Sequence, residues 1–448
     1  MSIITTGFLK QVRTVGQSLG VQNLPIAEYP GVVATDSDQE LHKKVTGTLV
    51  DNIIHAFTNK PANLPAGLPE PEPDHIVFEG TLDEVQEFFI KRQWTDGLPV
   101  IPPTIDRVER FLQFTDRSRM EVIGSLLPEN REATVWNIAV NGVMAGCRPE
   151  YMPVLLAVVE AIADPYFRIE DAGSTPGWEP LIILNGPIIK ELNFNYETGV
   201  MRVGRQANTS IGRFLRLFMR NIAGFRIPPG TTDKATIGDT FNVALAENED
   251  FLAELGWESF SVARGFKSDE NVVTVQSVVY ATPPIASGGD TAKGHLDTFV
   301  EVFGGSMSTW THMAVNWGKF FPLLVISPSI ARVMAKDGLQ KKDVQQYLYD
   351  HSKVSVESME RLAWQGGFTG FSLRKMVEEK LISPLYRESD DPERMVPVFL
   401  KPEWIGIVVS GDSGRNRSRG YVQNHEQGPP VSRRIQLPAR WKQILPAA

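Results

Sequence analysis

The feature that most constrains this chain is its first fifty-eight residues, which read as a β-α-β-α unit too small to bury its own sheet. Ser2 to Thr6 (SIITT) is a β-branched strand segment, and GFLKQVRTVGQSLG follows with Phe8, Val12, Val15 and Leu19 at helical spacing and Gly20 as a stop. LPIAEYP reads as a second strand. LHKKVTGTLVDNIIHAF reads as a second helix, with Leu41, Val45, Leu49 and Ile53 on one stripe. Alternating strands and helices are the unit of a parallel sheet, but two strands do not make a sheet that is stable alone. Something outside this segment is expected to complete it.

Residues 59–74 carry five prolines and no hydrophobic period, so residues 59–77 are assigned as a linker. A main α/β domain is expected over 78–330 and a further α/β region over 331–448. Within them, TLDEVQEFFIKRQW has Thr81 as N-cap, and ATVWNIAVNGVMAG and PEYMPVLLAVVEAIAD are helices apolar all round, hence buried. NTSIGRFLRLFMRNIAG is a helix closed by Gly224, and NVVTVQSVVYAT has the alternation of a strand. PLIIL, PLLVI and IGIVV are buried strands, each followed by a Gly-, Pro- or Ser-rich turn. They suggest a doubly wound arrangement of parallel strands, with ligands outside the strands' carboxyl ends. The last strand expected is WIGIVVSG. The fold class is therefore α/β, with a partial Rossmann-like N-terminal unit.

Composition narrows the functional classes. A net charge of -8 over 448 residues gives no electrostatic reason for nucleic acid or an anionic membrane as partner. One cysteine excludes an internal disulfide framework and favours a reducing compartment. The N-terminus lacks the roughly 7–15-residue apolar core of a signal peptide, and no apolar run reaches the ~20 residues of a membrane span. The chain is read as cytoplasmic. The seven histidines are scattered and none pairs at helical spacing with a second ligand, so no metal site is expected. No sequence pattern specifies a cofactor.

Three constellations could carry chemistry. In AVNGVMAGCRPEY, Cys147 precedes a helix start and Arg148 flanks it. A thiol there would have a lowered pKa and be a nucleophile, or else it fills a buried corner between helices. Glu150 is a first-turn charge or a general base. The second combines Asn185, Gly186 and Pro187 with VGRQANTSIGR. Asn208, Thr209 and Ser210 sit in a helical first turn with Arg205 and Arg213 beside them, which would suit a carboxylate or phosphate. Ordinary capping and surface arginines are the alternative. It is neither a Walker loop nor a dinucleotide fingerprint. The third is GDSGRNRSRG, residues 411–420, where Arg415, Arg417 and Arg419 alternate with small polar residues, as an anion grip or a solvated loop. Its GDSG string lacks the other features of a serine protease. In TDGLPVIPPT, Asp96, Gly97 and Pro99 form a rigid turn that could shape a pocket.

These strings carry a resemblance. SIITTGFLKQVRTVGQSLGVQNLPIAEYPGV, about 55 residues with its continuation, resembles the second half of the small (seleno)protein family named for its U-G-S-C motif. TDGLPVIPPT, ATVWNIAVNGVMAGCRPEYMPV, LNGPI, GRQANTSIGRFLRL and PLLVISPSIARVMAKDGLQKKDV, within 85–350, resemble its poorly characterised companion proteins. The resemblance implies a thiol- or selenol-dependent enzyme subunit, with a short partner chain supplying the Cys or Sec motif and completing residues 1–58. A small organic acid or thiol would be the substrate, and the chemistry would be redox or C–S/C–heteroatom bond chemistry. A cofactor-free lyase or hydratase, and a non-catalytic subunit of a hetero-oligomer, are the competing expectations. Two departures matter. The U-G-S-C motif is absent here, and Ser329-Ile330 stands where the companion family has an acidic-His pair.

Overall fold

The computed structural model describes residues 1–18, 23–58, 73–171, 177–227, 235, 237–307, 314–315, 318–365 and 370–445. The expected Gly20 stop and most of the proline-rich linker lie outside them.

The N-terminal unit forms as expected. Strand β1 (Ser2–Thr5) pairs in parallel with β2 (Ile26–Tyr29), with Ser2 opposite Ile26. The helix Leu9–Ser18 joins them, and Asp38–Lys44, a wide turn at Val45–Leu49 and the helix Val50–Thr58 follow. Ser37 and Glu40 form a reciprocal capping box that starts this last segment. Ala27, Tyr29 and Leu49 make a small core with Leu41, Val45 and Ile53 around it. Among the described residues β1 and β2 pair only with each other.

Beyond the linker, Thr81 and Glu84 form a second capping box at the head of helix Leu82–Lys91. The hairpin β3 (Val122–Leu126) and β4 (Arg131–Thr134) leads into helix Val135–Ala145, and helix Met152–Ile162 follows. Both helices are buried along nearly their whole length, as their all-round apolarity requires. Helix Gln206–Phe218 packs against them and closes at Gly224.

The central sheet comprises β5 (Glu179–Asn185), β6 (Leu245–Ala246), β7 (Val272–Ala281), β8 (Ile285–Ala286), β9 (Leu323–Ile326), β12 (Gly406–Val409), β13 (Arg417–Gln423) and β14 (Val431–Arg434). Between β9 and β12 the chain adds a separate antiparallel pair, β10 (Lys353–Ser355) with β11 (Met395–Pro397). The main order is β12-β9-β13-β7-β5-β6, with β14 on β7 and β8 on β13. This confirms the α/β class with a mixed sheet. The pairs β12–β9 and β5–β6 are parallel, while β7 and β13 run antiparallel to their neighbours. The doubly wound expectation is corrected accordingly: PLIIL runs opposite to PLLVI and IGIVV, because the two antiparallel strands stand between them. Residues 417–420, expected as loop, are the start of β13 in the middle of the sheet. The boundary drawn at 330 does not separate two sheets, since β12, β13 and β14 complete the one that β5, β6, β7 and β9 begin.

Strand alternation sorts the sheet into two faces. Ile182, Leu184, Val273, Leu324 and Val409 join the large core with the helices. Their neighbours Leu181, Ile183, Leu245, Val278, Leu323, Val325, Val408 and Tyr421 form a second, enclosed cluster. The sheet curls around that second cluster until its edges meet. Asn248 N–H donates to the Val409 carbonyl (2.8 Å) just past β6, and the Ser410 hydroxyl donates to the Ala246 carbonyl (2.7 Å). No helix of the described residues is long and apolar enough to cross a membrane.

Candidate functional site

The seam where the sheet edges meet holds a cluster of buried polar groups. By strand parity Asn185 continues the inward series of Leu181 and Ile183, and Glu247 continues that of Leu245. The Glu247 side chain is fully buried, and four donors surround it. Oε1 accepts from Lys341 Nζ (2.8 Å) and the Val409 N–H (3.2 Å). Oε2 accepts from Asn185 Nδ2 (2.8 Å) and the Phe260 N–H (2.6 Å). With every lone-pair direction in use, Glu247 is a structural centre rather than a reactant.

Glu249, two residues on, is different. It is half-buried, and its Oε1 and Oε2 accept from Asn185 Nδ2 (2.9 Å) and the Gly186 N–H (2.9 Å). Burial raises its pKa above the ordinary carboxyl value, and the Glu247 charge adds to this. The Asn185, Gly186 and Ser259 donors only partly offset it. Asn185 thus gives both Nδ2 hydrogens to two carboxylates, which fixes its orientation. Its Oδ1 is buried and without a hydrogen-bond partner among the described residues. At the rim, Lys190 Nζ meets Asp250 (2.6 Å) and the Tyr196 hydroxyl donates to the same carboxylate (3.4 Å). A half-exposed carboxyl with a raised pKa, beside a fixed carboxamide, can hold a proton or release it to a bound molecule.

A second locus gathers several of the residues singled out in the sequence, in roles other than those expected. Arg213 is gripped in a fork by Asp96 (Nε to Oδ2 2.8 Å, Nη2 to Oδ1 2.9 Å) and also donates to the Pro99 carbonyl (2.9 Å). Burial alone would raise the Asp96 carboxyl, but the guanidinium and two backbone donors outweigh it and hold the pKa below the usual range. The turn at Asp96, Gly97 and Pro99 therefore does shape something: it seats Arg213. The expected grip of Arg213 on a substrate carboxylate is corrected, because Asp96 already occupies that fork. Cys147 faces Ser210 and Arg213, and its pKa is also the reverse of the expected one. Burial pushes the thiol up to about 12, and Ser210 and Arg213 only partly oppose this. Desolvation outweighs the nearby charge and helix start.

The remaining candidates take local partners. Glu150 is buried against Arg148 (2.5 Å). Asn208 is fully buried: its Oδ1 accepts from the Asn195 N–H, and its Nδ2 donates to the Asn195 and Ala244 carbonyls. Thr209 accepts from the Gly204 N–H, and Arg205 donates to Asn193 Oδ1. Arg415 is exposed, with Asp412 3.7 Å away. Arg205, Arg213 and Arg415 thus each meet a different partner: Asn193, Asp96 and Asp412. Among the described residues no group of three or more His, Cys, Asp or Glu side chains is arranged to hold a metal.

Sequence reasoning reached Asn185 but missed Glu247, Glu249 and Lys341. The available signal was an acidic run, ENED, directly after the apolar VALA at 243–246. A two-residue strand is too short to show periodicity, and Lys341 lies 94 residues away along the chain.

Fold and site together define an α/β protein with a curled mixed sheet and a buried carboxylate–lysine seam. No family model, no curated protein and no solved structure matches the chain. The resemblance to the U-G-S-C proteins and their companions rests on the sequence strings alone.

Proposed function

We propose that this chain is the large subunit of a heteromeric enzyme acting on a small organic acid or thiol, in which a short partner chain completes the β1–β2 unit and carries the reactive Cys or Sec. The observation behind this reading is the open N-terminal unit. Parallel sheets are ordinarily covered on both faces, yet Ile3 is 53% exposed and Ile54 and Phe57 also face outward. A hollow of about 240 Å³ lies beside β1, with Ile4, Tyr29, Leu41, Val45 and Leu49 in its wall. That is below the roughly 300–1,000 Å³ typical of small-molecule pockets, and its apolar wall suits a few docking side chains. The thiol is assigned to the partner because burial pushes the Cys147 thiol well above its ordinary pKa, which disfavours the thiolate that a nucleophile needs.

Co-expression with a short Cys-Gly-Ser-Cys chain tests this, read by native mass spectrometry. A stoichiometric complex is expected, together with its loss in Ile3→Asp, a substitution at an exposed position that leaves the small core of the unit intact. Cys147→Ser should leave the complex and its turnover unchanged. A complex that forms equally well with Ile3→Asp would sink the docking assignment, and turnover that survives complete alkylation would end the thiol assignment.

A cofactor-free lyase or hydratase is the second reading, favoured by Glu249. Its raised pKa makes a prediction independent of substrate. The folded state holds this proton to higher pH than the unfolded chain, whose glutamates titrate near pH 4.3. The stability it contributes is therefore full below that value and is lost as pH rises through the folded pKa. Glu249→Gln should flatten the decline in urea midpoint measured from pH 4 to pH 8. Parallel wild-type and variant curves would show that Glu249 titrates as an ordinary carboxyl.

A further inference from the structure

Away from the seam, β8 runs into the loop Ser287–Thr291 (SGGDT), which leads into the helix Ala292–Phe299. The loop turns back onto that helix because Gly294 has no side chain: a Cβ there would stand 2.9 Å from the Gly288 carbonyl oxygen. This close approach brings the Ser287 hydroxyl to 2.7 Å from Nδ1 of His295, within the distance needed for direct proton transfer. Ser287 is half-buried, whereas His295 is completely buried. Beside the hydroxyl, Gly288 and Gly289 are exposed, and apart from each glycine's chain neighbours no described atom lies within 4 Å of where its Cβ would stand. A hydroxyl with open space on one side and a buried imidazole within hydrogen-bond reach on the other is the pairing by which a base activates a hydroxyl nucleophile.

We propose that Ser287 and His295 form a nucleophile–base dyad that takes the acyl group of an activated ester or thioester. Ser287 Oγ attacks the carbonyl carbon, and its proton passes to Nδ1 of His295. The bond from the carbonyl carbon to the leaving oxygen or sulfur breaks, and the leaving group departs with that proton. Water then attacks the acyl-serine, gives a proton to His295 and releases the carboxylic acid as Oγ regains its proton. Burial keeps the imidazole below its ordinary pKa, with the Gly289 backbone working in the other direction, so the neutral base is the resting form at neutral pH. For Nδ1 to accept the Ser287 proton the neutral ring must carry its own on Nε2, which has no hydrogen-bond partner among the described residues; no carboxylate completes a triad there, and the rate should be that of a dyad. This site is independent of the thiol chemistry proposed above and uses none of its residues.

A fluorophosphonate probe on the full-length chain tests it, with the adduct located by peptide mass spectrometry. Labelling at Ser287 is expected, with none at that peptide in Ser287→Ala. His295→Gln should slow labelling about 100-fold or more, the lower range for loss of a general base. Thermal melting will show whether His295→Gln folds. If it does not, Ser287→Cys decides: its thiol, paired with the imidazole, should react with iodoacetamide at pH 6 at least tenfold faster than glutathione. Absence of a Ser287 adduct, labelling unchanged in a folded His295→Gln, or a Ser287→Cys thiol no faster than glutathione would each overturn the dyad.

Discussion

Lys341→Met is expected to lower the free energy of unfolding by about 3–5 kcal/mol, the usual penalty for removing one partner of a buried ion pair. The Lys341 ammonium, only 11% exposed, is the single cation among the described residues on a Glu247 carboxylate that is 0% exposed. Methionine fills a similar volume but leaves that carboxylate with three neutral donors and no countercharge. Because Glu247 also accepts from Val409 on one sheet edge and is held by Asn185 on the other side of the seam, the loss would loosen the closure of the sheet as well as the pair. Urea unfolding followed by tryptophan fluorescence measures the effect. Glu247→Gln combined with Lys341→Met should cost less than the sum of the two single changes by about 1 kcal/mol or more, since the double variant strands no charge. A single-variant cost under about 1 kcal/mol would mean the pair is solvated and the seam is not what holds the sheet closed.

Gly186→Ala should be nearly as damaging, at about 2–5 kcal/mol. This sums roughly 1–2 kcal/mol for a left-handed backbone with about 1–3 kcal/mol for overpacking. Gly186 sits at φ +99°, where L side chains are strained. A Cβ would also stand 2.4 Å from the Glu270 carbonyl oxygen and 2.8 Å from Asn271 Cα, both backbone atoms that cannot swing aside. The same residue gives its N–H to Glu249, so relieving the clash would shift the carboxyl with the raised pKa. Gly97→Ala is the control. Gly97 has φ +89° but open space around the would-be Cβ, and only the conformational cost of about 1–2 kcal/mol applies. Equal losses in the two variants would show that the contact with Glu270 is soft.

Both predictions concern residues whose importance the sequence conveys unevenly. The turn NGP marked Asn185 and Gly186 as the end of a buried strand, which is how the sequence led to one member of the site. Glu247 and Lys341 had no such marker. An isolated Glu after a short apolar run and a Lys at a helix start each read as surface charge until the fold brings them together. The arginines failed in the opposite way. Arg205 and Arg213 looked like an anion grip because local spacing shows donors but not the acceptors waiting elsewhere. Asp96, 117 residues from Arg213, already occupies the fork.

The sequence by itself determined the β-α-β-α character of residues 1–58, the capped helix starts at Ser37 and Thr81, the two all-apolar helices, and the three most apolar strands of the central sheet. Each of these depends on residues a few positions apart, through helical or strand periodicity, caps and glycine stops. The direction of β5 against β9 and β12, the place of the arginine-bearing β13 in the middle of the sheet, the closure of the sheet edges and the burial of Cys147 were decided only in three dimensions. Those outcomes depend on long-range strand pairing and on how far each polar group is removed from water, and neither quantity is written in local spacing.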